Sequence, residues 1–394
     1  MKPKLRFKEF SGEWIEKRLG EVAVCEDNKR IPLNETERKQ RKGIYPYWGS
    51  TKVMDYVNDY IFNGEYVLLS EDGGYFYDYK EKPIAFYVNG KFWANNHIHV
   101  LKIHKKNNAR FIYYALVHKN ILAYIIGGTR TKLNQKDMLK IKIFTPPTLE
   151  EQQKIASFLS AVDEKIEITA KKIEKLKEYK KGLLQKLLNV KKGKPEFRFL
   201  EFSGKWVEKR LGEVCELKSG YSFKSRDYVE NGRYMIITIS NVKKGYLDLN
   251  EVKTINSLPQ NIRNYQILKL GDILISMTGN VGRVCLVNKN NCLLNQRVGK
   301  LKIKNVNLNP NFLYYTLNRN IFEKKMISLA QGGAQLNISK KNIENFKIHL
   351  PPTLAEQQKI AEFLSSVDKK IEINEKKLSK LKEYKKGLLQ KMLI

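Results

Sequence analysis

"PPTLEEQQKIASFLSAVD" at residues 146–163 and "PPTLAEQQKIAEFLSSVD" at residues 351–368 are nearly the same text, displaced by 205 positions. The likeness runs on through "LKEYKKGLLQK", which occupies 176–186 and again 381–391 without a single difference. Upstream, "LRFKEFSGEWIEKRLGEV" at 5–22 returns as "FRFLEFSGKWVEKRLGEV" at 197–214, now displaced by 192. The chain is a tandem duplication.

Each copy of the first stretch opens a long helix. Ile155, Leu159, Val162, Ile166, Thr169, Ile173, Leu176, Lys180, Leu183 and Leu187 step by threes and fours, a heptad seam with two polar interruptions. The second copy keeps the register through Ile360, Leu364, Val367, Ile371, Asn374, Leu378, Leu381, Lys385, Leu388 and Met392. Thr148 with Glu151, and Thr353 with Glu356, have capping-box spacing directly after a Pro-Pro pair. A helix of about 40 residues is roughly 60 Å long, and its one apolar seam needs a partner. The other copy is the expected partner. Antiparallel pairing lets the linker "NVKKGKPE" start the second globular segment at the far end of the first helix, which predicts two globular segments at opposite ends of a rod with approximate two-fold symmetry. The expected division is 1–147 globular, 148–190 helix, 191–352 linker and globular, 353–394 helix.

Spacer duty constrains a seam and leaves outer faces free, yet outer residues match too. Lys177, Glu178, Lys181, Gly182, Gln185 and Lys186 recur as Lys382, Glu383, Lys386, Gly387, Gln390 and Lys391. A helical glycine costs about 1 kcal/mol relative to alanine, and both copies carry one. These positions are expected to dock a second protein, once on each copy; plain inheritance from the duplication is the alternative.

Lys plus Arg outnumber Asp plus Glu by 73 to 41, a net charge of +32. Residues 149–190 hold nine Lys against seven acids, and 354–394 ten against six, so +26 belongs to the globular segments and linkers. The globular parts therefore face a polyanion. A membrane surface is the weaker candidate, because no apolar run approaches the roughly 20 residues of a spanning helix and the N-terminus lacks an apolar signal core. A cytoplasmic location is expected. Cys25, Cys215, Cys285 and Cys292 show no paired spacing and read as reduced structural thiols. His97 and His99 lack a third ligand at suitable spacing, so no metal site is expected.

Each globular segment reads as short strands, turns and a few short helices, an α+β mixture. "KPIAFYVNGKFWANNHIHVLKI" predicts a β-hairpin turning at Asn89-Gly90. Around Gly279 and Gly282 a turn could cradle a phosphate or simply join two strands. Both segments close on a glycine pair, "IIGGTRTKLN" at 125–134 and "LAQGGAQLN" at 329–337. Thr129, Arg130 and Lys132 in one answer to Ala334 and Gln335 in the other, so position is kept while chemistry differs. That pattern suits a base-reading loop, since Arg favours guanine edges and Gln favours adenine; a tolerant surface loop is the plainer alternative.

Catalytic motifs are missing. The Pro-Pro turns, Thr145 to Thr148 and Leu350 to Thr353, lack the acid or amide and the aromatic of an adenine methyltransferase turn. Neither GxGxxG nor GxxxxGK[ST] occurs. A nuclease assembled from Glu71, Asp72, Asp78 and Lys80 is conceivable, though these residues also read as turn and surface positions.

"RFxEFSGxWxEKRLGEV" before each segment, "PPTLxEQQKIAxFLSxVDxKIE" at each helix start, and "GDILISMTGNVGRV" with "NQRVGKL" in the second segment resemble the specificity subunit of type I restriction-modification systems. "YPYWGS" and "YIFNGEYVLLSEDGG" are similar to another variety of that family's recognition domain. The resemblance implies two globular α+β DNA target-recognition domains separated by an antiparallel coiled coil, with no catalysis by this chain. It further implies double-stranded DNA and two adenine-N6 methyltransferase subunits as partners, with restriction/translocase subunits in addition. S-adenosylmethionine would sit on the methyltransferase and ATP with Mg on the restriction partner, with no cofactor on this chain. Each domain would read one half of an asymmetric split site. Candidate contacts are Thr129, Arg130, Lys132 and Gln335, then Tyr47, Ser50 and Glu71 in the first segment and Ser219, Tyr221, Ser276, Thr278 and Asn280 in the second. A methylation-only complex and a self-contained methyltransferase or nuclease are the alternatives.

Overall fold

The computed structural model describes residues 2–128, 131–331 and 335–393. Contacts divide it into two compact units, residues 1–171 with 375–394, and residues 172–374. Each unit thus holds one globular segment, the first part of the helix that follows it and the last part of the other long helix. The helices span Leu149–Leu188 and Leu354–Met392.

In the first unit a six-stranded sheet runs in the order Ala23–Cys25, Ile98–Ile103, Phe62–Ser70, Ala85–Ala94, Lys42–Trp48, Val53–Val57. Its central strand is buried continuously from Tyr66 to Ser70, as a strand covered on both faces must be. The helix Ala109–Leu116 packs there, and one apolar cluster joins Trp14, Leu69 and Phe111 to Ile155, Leu159 and Val162 of the first helix and Leu388 and Met392 of the second. The second unit has two four-stranded sheets. One orders Cys215–Ser219, Val298–Ile303, Ile273–Ser276, Val284–Leu286, and the other Lys253–Ile255, Tyr234–Ile237, Cys292–Leu294, Ile267–Leu268. Its main core joins Trp206, Ile275 and Phe312 to Ile360 and Leu364 of the second helix and Leu187 and Leu188 of the first.

The start of each helix therefore packs with the end of the other, which makes the pairing antiparallel. Lys385 binds Asp163 at 2.6 Å in the first unit, and Lys180 binds Asp368 at 2.5 Å in the second. These are the lysines that interrupt the seam, and Tyr114 and Tyr315 donate their hydroxyls to the same two carboxylates, at 2.7 and 2.8 Å. The other polar interruptions turn back on their own helices, Thr169 to the Lys165 carbonyl and Asn374 to that of Lys370, both at 2.7 Å.

The paired signatures are two sides of one contact. Arg6 grips Glu151 with two bonds of 2.7 Å, while the Trp14 indole donates to the same carboxylate at 3.2 Å. Arg198 and Trp206 hold Glu356 in the same way, at 2.7–2.8 and 3.1 Å. The next glutamine of each signature accepts a backbone N–H at the cap of a short helix, Gln152 from Asn108 and Gln357 from Asn309, both at 2.9 Å. Only half of each expected capping box forms. Thr148 and Thr353 accept the Glu151 and Glu356 amides at 3.3 Å, but the glutamates reach to arginine and tryptophan instead of folding back.

One expected turn is absent. Ala85–Ala94 is a single strand that passes straight through Asn89 and Gly90, with Gly90 opposite Gly64. Both glycines have positive φ, 114° and 120°, so they bend the ladder without ending it, and no reversal follows, for Ala85–Ala94 and the next strand Ile98–Ile103 both run antiparallel to Phe62–Ser70. Among the described residues, no helix is long and apolar enough to cross a membrane.

Candidate nucleic-acid interface

Strand register relates the two glycine loops. The Phe62–Ser70 and Ile98–Ile103 strands pair Ser70 with Ile98, as Ile273–Ser276 and Val298–Ile303 pair Ser276 with Val298. Just beyond each buried serine the chain meets a loop base. Lys132 bridges both Ile126 and Asp72, and Asn337 bridges both Gln331 and Thr278. Leu133 N–H then donates to the Glu71 carbonyl at 2.7 Å, as Ile338 does to Met277 at 3.0 Å. Gln335 stands two positions before Asn337, as Arg130 stands two before Lys132. Thr129 and Arg130 lie outside the described residues.

In the first unit the loop base is ionic. Glu71 holds Arg30 at 2.7 Å and Lys132 at 3.2 Å, and Ser50 donates its hydroxyl to the Asp72 carbonyl. Asp27 accepts from Val100 N–H at 2.8 Å, faces His99 at 2.6 Å and Arg30 at 3.2 Å. Burial pushes the Asp27 carboxyl upward, but His99, Val100 N–H and Arg30 together outweigh it and hold the group below the usual carboxylate range. Cys25, Asp27 and His99 also lie within 4.8 Å of one another, a spacing that could hold a metal ion. Arg30 already supplies positive charge to Asp27 there, and burial pushes the Cys25 thiol up to about 12.

In the second unit the loop base is held by hydroxyl, amide and guanidinium groups. Thr278 donates to Asn337 Oδ1 at 2.6 Å, and Arg297 donates to Gln335 Oε1 at 3.3 Å. Tyr221 bridges Asn295 next to this strand end, and Ser219 pairs with Gly299 at the same edge. Ser219, Asn280, Gln296, Arg297 and Gln335 are exposed, with Tyr221 half-buried. The turn at Gly279 and Gly282 resolves as structural. Gly279 N–H is taken by the Leu336 carbonyl and Gly282 N–H by that of Ser276, so neither amide is free for a phosphate.

Several sequence assignments need correcting. Tyr47 is 1% exposed, and its hydroxyl accepts the Leu33 amide at 2.9 Å; it packs against Val57 and Trp93 in a core and offers a duplex nothing. Ser276 is fully buried, its hydroxyl donating to the Asn280 carbonyl and accepting the Arg283 amide, so it shapes the turn. Glu71 and Thr278 are buried too and act as anchors of the loops. Ser50, Lys132, Ser219, Tyr221, Asn280 and Gln335 keep surface. The acids considered for a nuclease are engaged separately, Glu71 as above, Asp72 with His97 at 2.7 Å and Asp78 with Lys82 at 2.9 Å. Arg297 was missed, although the Gln-Arg pair directly before a strand in "NQRVGKL" marked it; Arg30 had no such signal.

On the helices, Lys177, Lys181 and Gln185 line a groove of about 440 Å³ with Lys244 and Arg319 in the second unit. The equivalent Lys382, Lys386 and Gln390 line one of about 1000 Å³ with Tyr79 and His118 in the first, where Lys386 also meets Glu81 at 2.5 Å. A Cβ at Gly182 or Gly387 would touch nothing within 4 Å.

The sequence family described as type I restriction modification DNA specificity domain matches residues 11–178 and again 203–383. The type I restriction enzyme MjaVIII specificity subunit of Methanocaldococcus jannaschii is 28% identical over a 412-residue alignment that covers 98% of this chain and 95% of its own. A chain named as a type I restriction enzyme specificity subunit in Haemophilus influenzae is 29% identical over 375 residues, 90% of this chain and 87% of that one. The fold is similar to the crystal structure of a type I restriction-modification S subunit from M. genitalium, with a TM-score of 0.69 at 19% identity over 100% and 99% of the two chains. Two matches to one domain, falling on the two halves of the duplication, place the chain by its own repeat: it belongs to the type I restriction-modification specificity family, whose subunits recognise DNA and do no chemistry themselves.

Proposed function

We propose that the chain reads an asymmetric split site in duplex DNA, with 1–147 contacting one half, 191–352 the other, and the antiparallel helices 148–190 and 353–394 setting the unread gap. One observation carries this reading: the bases of the two glycine loops sit at the same point of equivalent sheet frameworks yet present different side chains, Lys132 held by Glu71 in one and Gln335, bonded to Arg297 from the neighbouring strand start, in the other. Common framework fixes position, and differing chemistry gives differing sequence preference. Much of the +26 outside the helices serves phosphates, which hold register without reading bases.

Family membership implies methyltransferase and restriction subunits as partners. Two adenine-N6 methyltransferase subunits dock on the repeated helix faces around Lys177, Lys181, Gly182 and Gln185 and around Lys382, Lys386, Gly387 and Gln390. The glycines support this, because among the described residues a Cβ at either would meet nothing within 4 Å. S-adenosylmethionine belongs to those subunits, ATP and Mg to the restriction partner, and the assembly works in the cytoplasm. Methylome sequencing of a host given this gene with its methyltransferase partner tests the reading. It should show N6-methyladenine at one split motif, and exchanging the first globular segment should alter one half only. Change in both halves would overturn the assignment.

A further inference from the structure

The two frameworks differ in what fills one buried point. His99 lies opposite Leu69 as Gly299 lies opposite Ile275, and counting from the Cys25–Leu101 and Leu217–Leu301 pairs puts Asp27 where the second unit has Ser219. Glu71 and Met277 each follow the buried serine. In the second unit the point is apolar, for a Cβ on Gly299 would meet Leu217 Cδ1 at 2.7 Å and Met277 Sδ at 3.2 Å. In the first unit the same point is ionic.

His99, 1% exposed, has both ring nitrogens facing oxygen: Nδ1 is 2.6 Å from Asp27 and Nε2 is 2.8 Å from the Leu133 carbonyl. Arg30 links Asp27 to Glu71, and Glu71 links on to Lys132. The contacts therefore begin at the Leu133 carbonyl and end at the ammonium of the residue before it. A buried ionic cluster carries a desolvation cost that apolar filling avoids, and the second unit shows this one point filled by Leu217 and Met277. What the ions add is a hold on the loop base from both sides.

We infer that His99 is a positioning residue for the first recognition loop: through Leu133 directly, and through Asp27, Arg30 and Glu71 to Lys132, it fixes the loop base and so governs discrimination at the half-site read by the first domain. This rests on the proposed reading of the loops. Orienting groups held by buried hydrogen bonds set the precision of the group they support. The second domain, with Gly299 at this point, has no such dependence.

The test uses the chain in complex with its methyltransferase partner, as wild type, His99→Leu, His99→Gln and Asp27→Asn. Dissociation constants are measured for the cognate duplex and for duplexes with single base-pair changes in either half. His99→Leu should lower discrimination in the first half by about tenfold, within the range of a lost base contact, while discrimination in the second half stays within about twofold. His99→Gln, which keeps a donor toward Leu133, should recover part of it, and Asp27→Asn, nearly isosteric, should repeat the one-sided loss even where His99→Leu fails to fold. Equal loss in both halves, or none in either, would overturn the inference. A wild-type complex with no split-site preference would instead overturn the proposed function.

Discussion

Arg6 and Glu151, which lie in the repeated 5–22 stretch and at the start of the first long helix, meet in a two-pronged contact with the carboxylate fully enclosed. Arg198 and Glu356 repeat it in the second unit. Removing one partner of a buried pair leaves the other charge uncompensated. Glu151→Ala should therefore destabilise the first unit by about 3–5 kcal/mol, and Glu356→Ala the second by as much, read from urea unfolding. A loss under about 1 kcal/mol would mean that the arginine simply turns to solvent.

Gly182 and Gly387 sit in helix interiors with open space above them. Replacing each with alanine should stabilise the isolated chain by about 0.5–1 kcal/mol. Because the same replacement places a methyl in the proposed docking face, co-purification of the methyltransferase subunit should fall. Unchanged assembly would separate these glycines from docking.

Arg297 is exposed and bonded to Gln335 at the second loop. Arg297→Ala should weaken DNA binding by about 1–3 kcal/mol and relax preference in one half-site, seen in competition gel shifts with single base-pair variants. Uniform weakening across all sequences would reassign it to a phosphate.

Gly282 has φ of +78°, and a Cβ there would fall 2.6 Å from Met326 Cβ. Gly282→Ala should destabilise the second unit by more than about 1 kcal/mol in urea unfolding. Tolerance of the alanine would show that this turn is looser than its packing against the Asn320–Leu329 helix indicates.

Asp27 titrates below its ordinary range in the folded chain. Its unfolded value is near ~3.9, so between the two values the unfolded state binds more protons and stability rises with pH. The contribution is complete above the unfolded value and is lost as pH falls through the folded one. Wild type should therefore exceed Asp27→Asn in urea midpoint at neutral pH, with the gap closing under acid. A gap that stays constant with pH would rule out the charged contacts at Asp27.

The duplication, the helices and their antiparallel partner were legible in residues alone. A heptad is a short-range pattern, and a repeat declares its own equivalences. The Asn89-Gly90 turn was misread because a glycine facing another glycine across a ladder looks, in one strand, like a reversal. Tyr47 and Ser276 were misread because burial sums over segments far apart; no local pattern says that Leu33 will take the Tyr47 hydroxyl or Arg283 N–H that of Ser276.

Sequence by itself determined that two unlike globular segments share one repeated scaffold, since identity and difference between copies are visible in the text. Only the tertiary structure decided which side chains remain outside and how each loop is held. Asp27, Arg30, Glu71, His99 and Lys132 come from separate strands and turns, and it is strand pairing that brings their charges together, because electrostatic contact depends on distance in space and not along the chain.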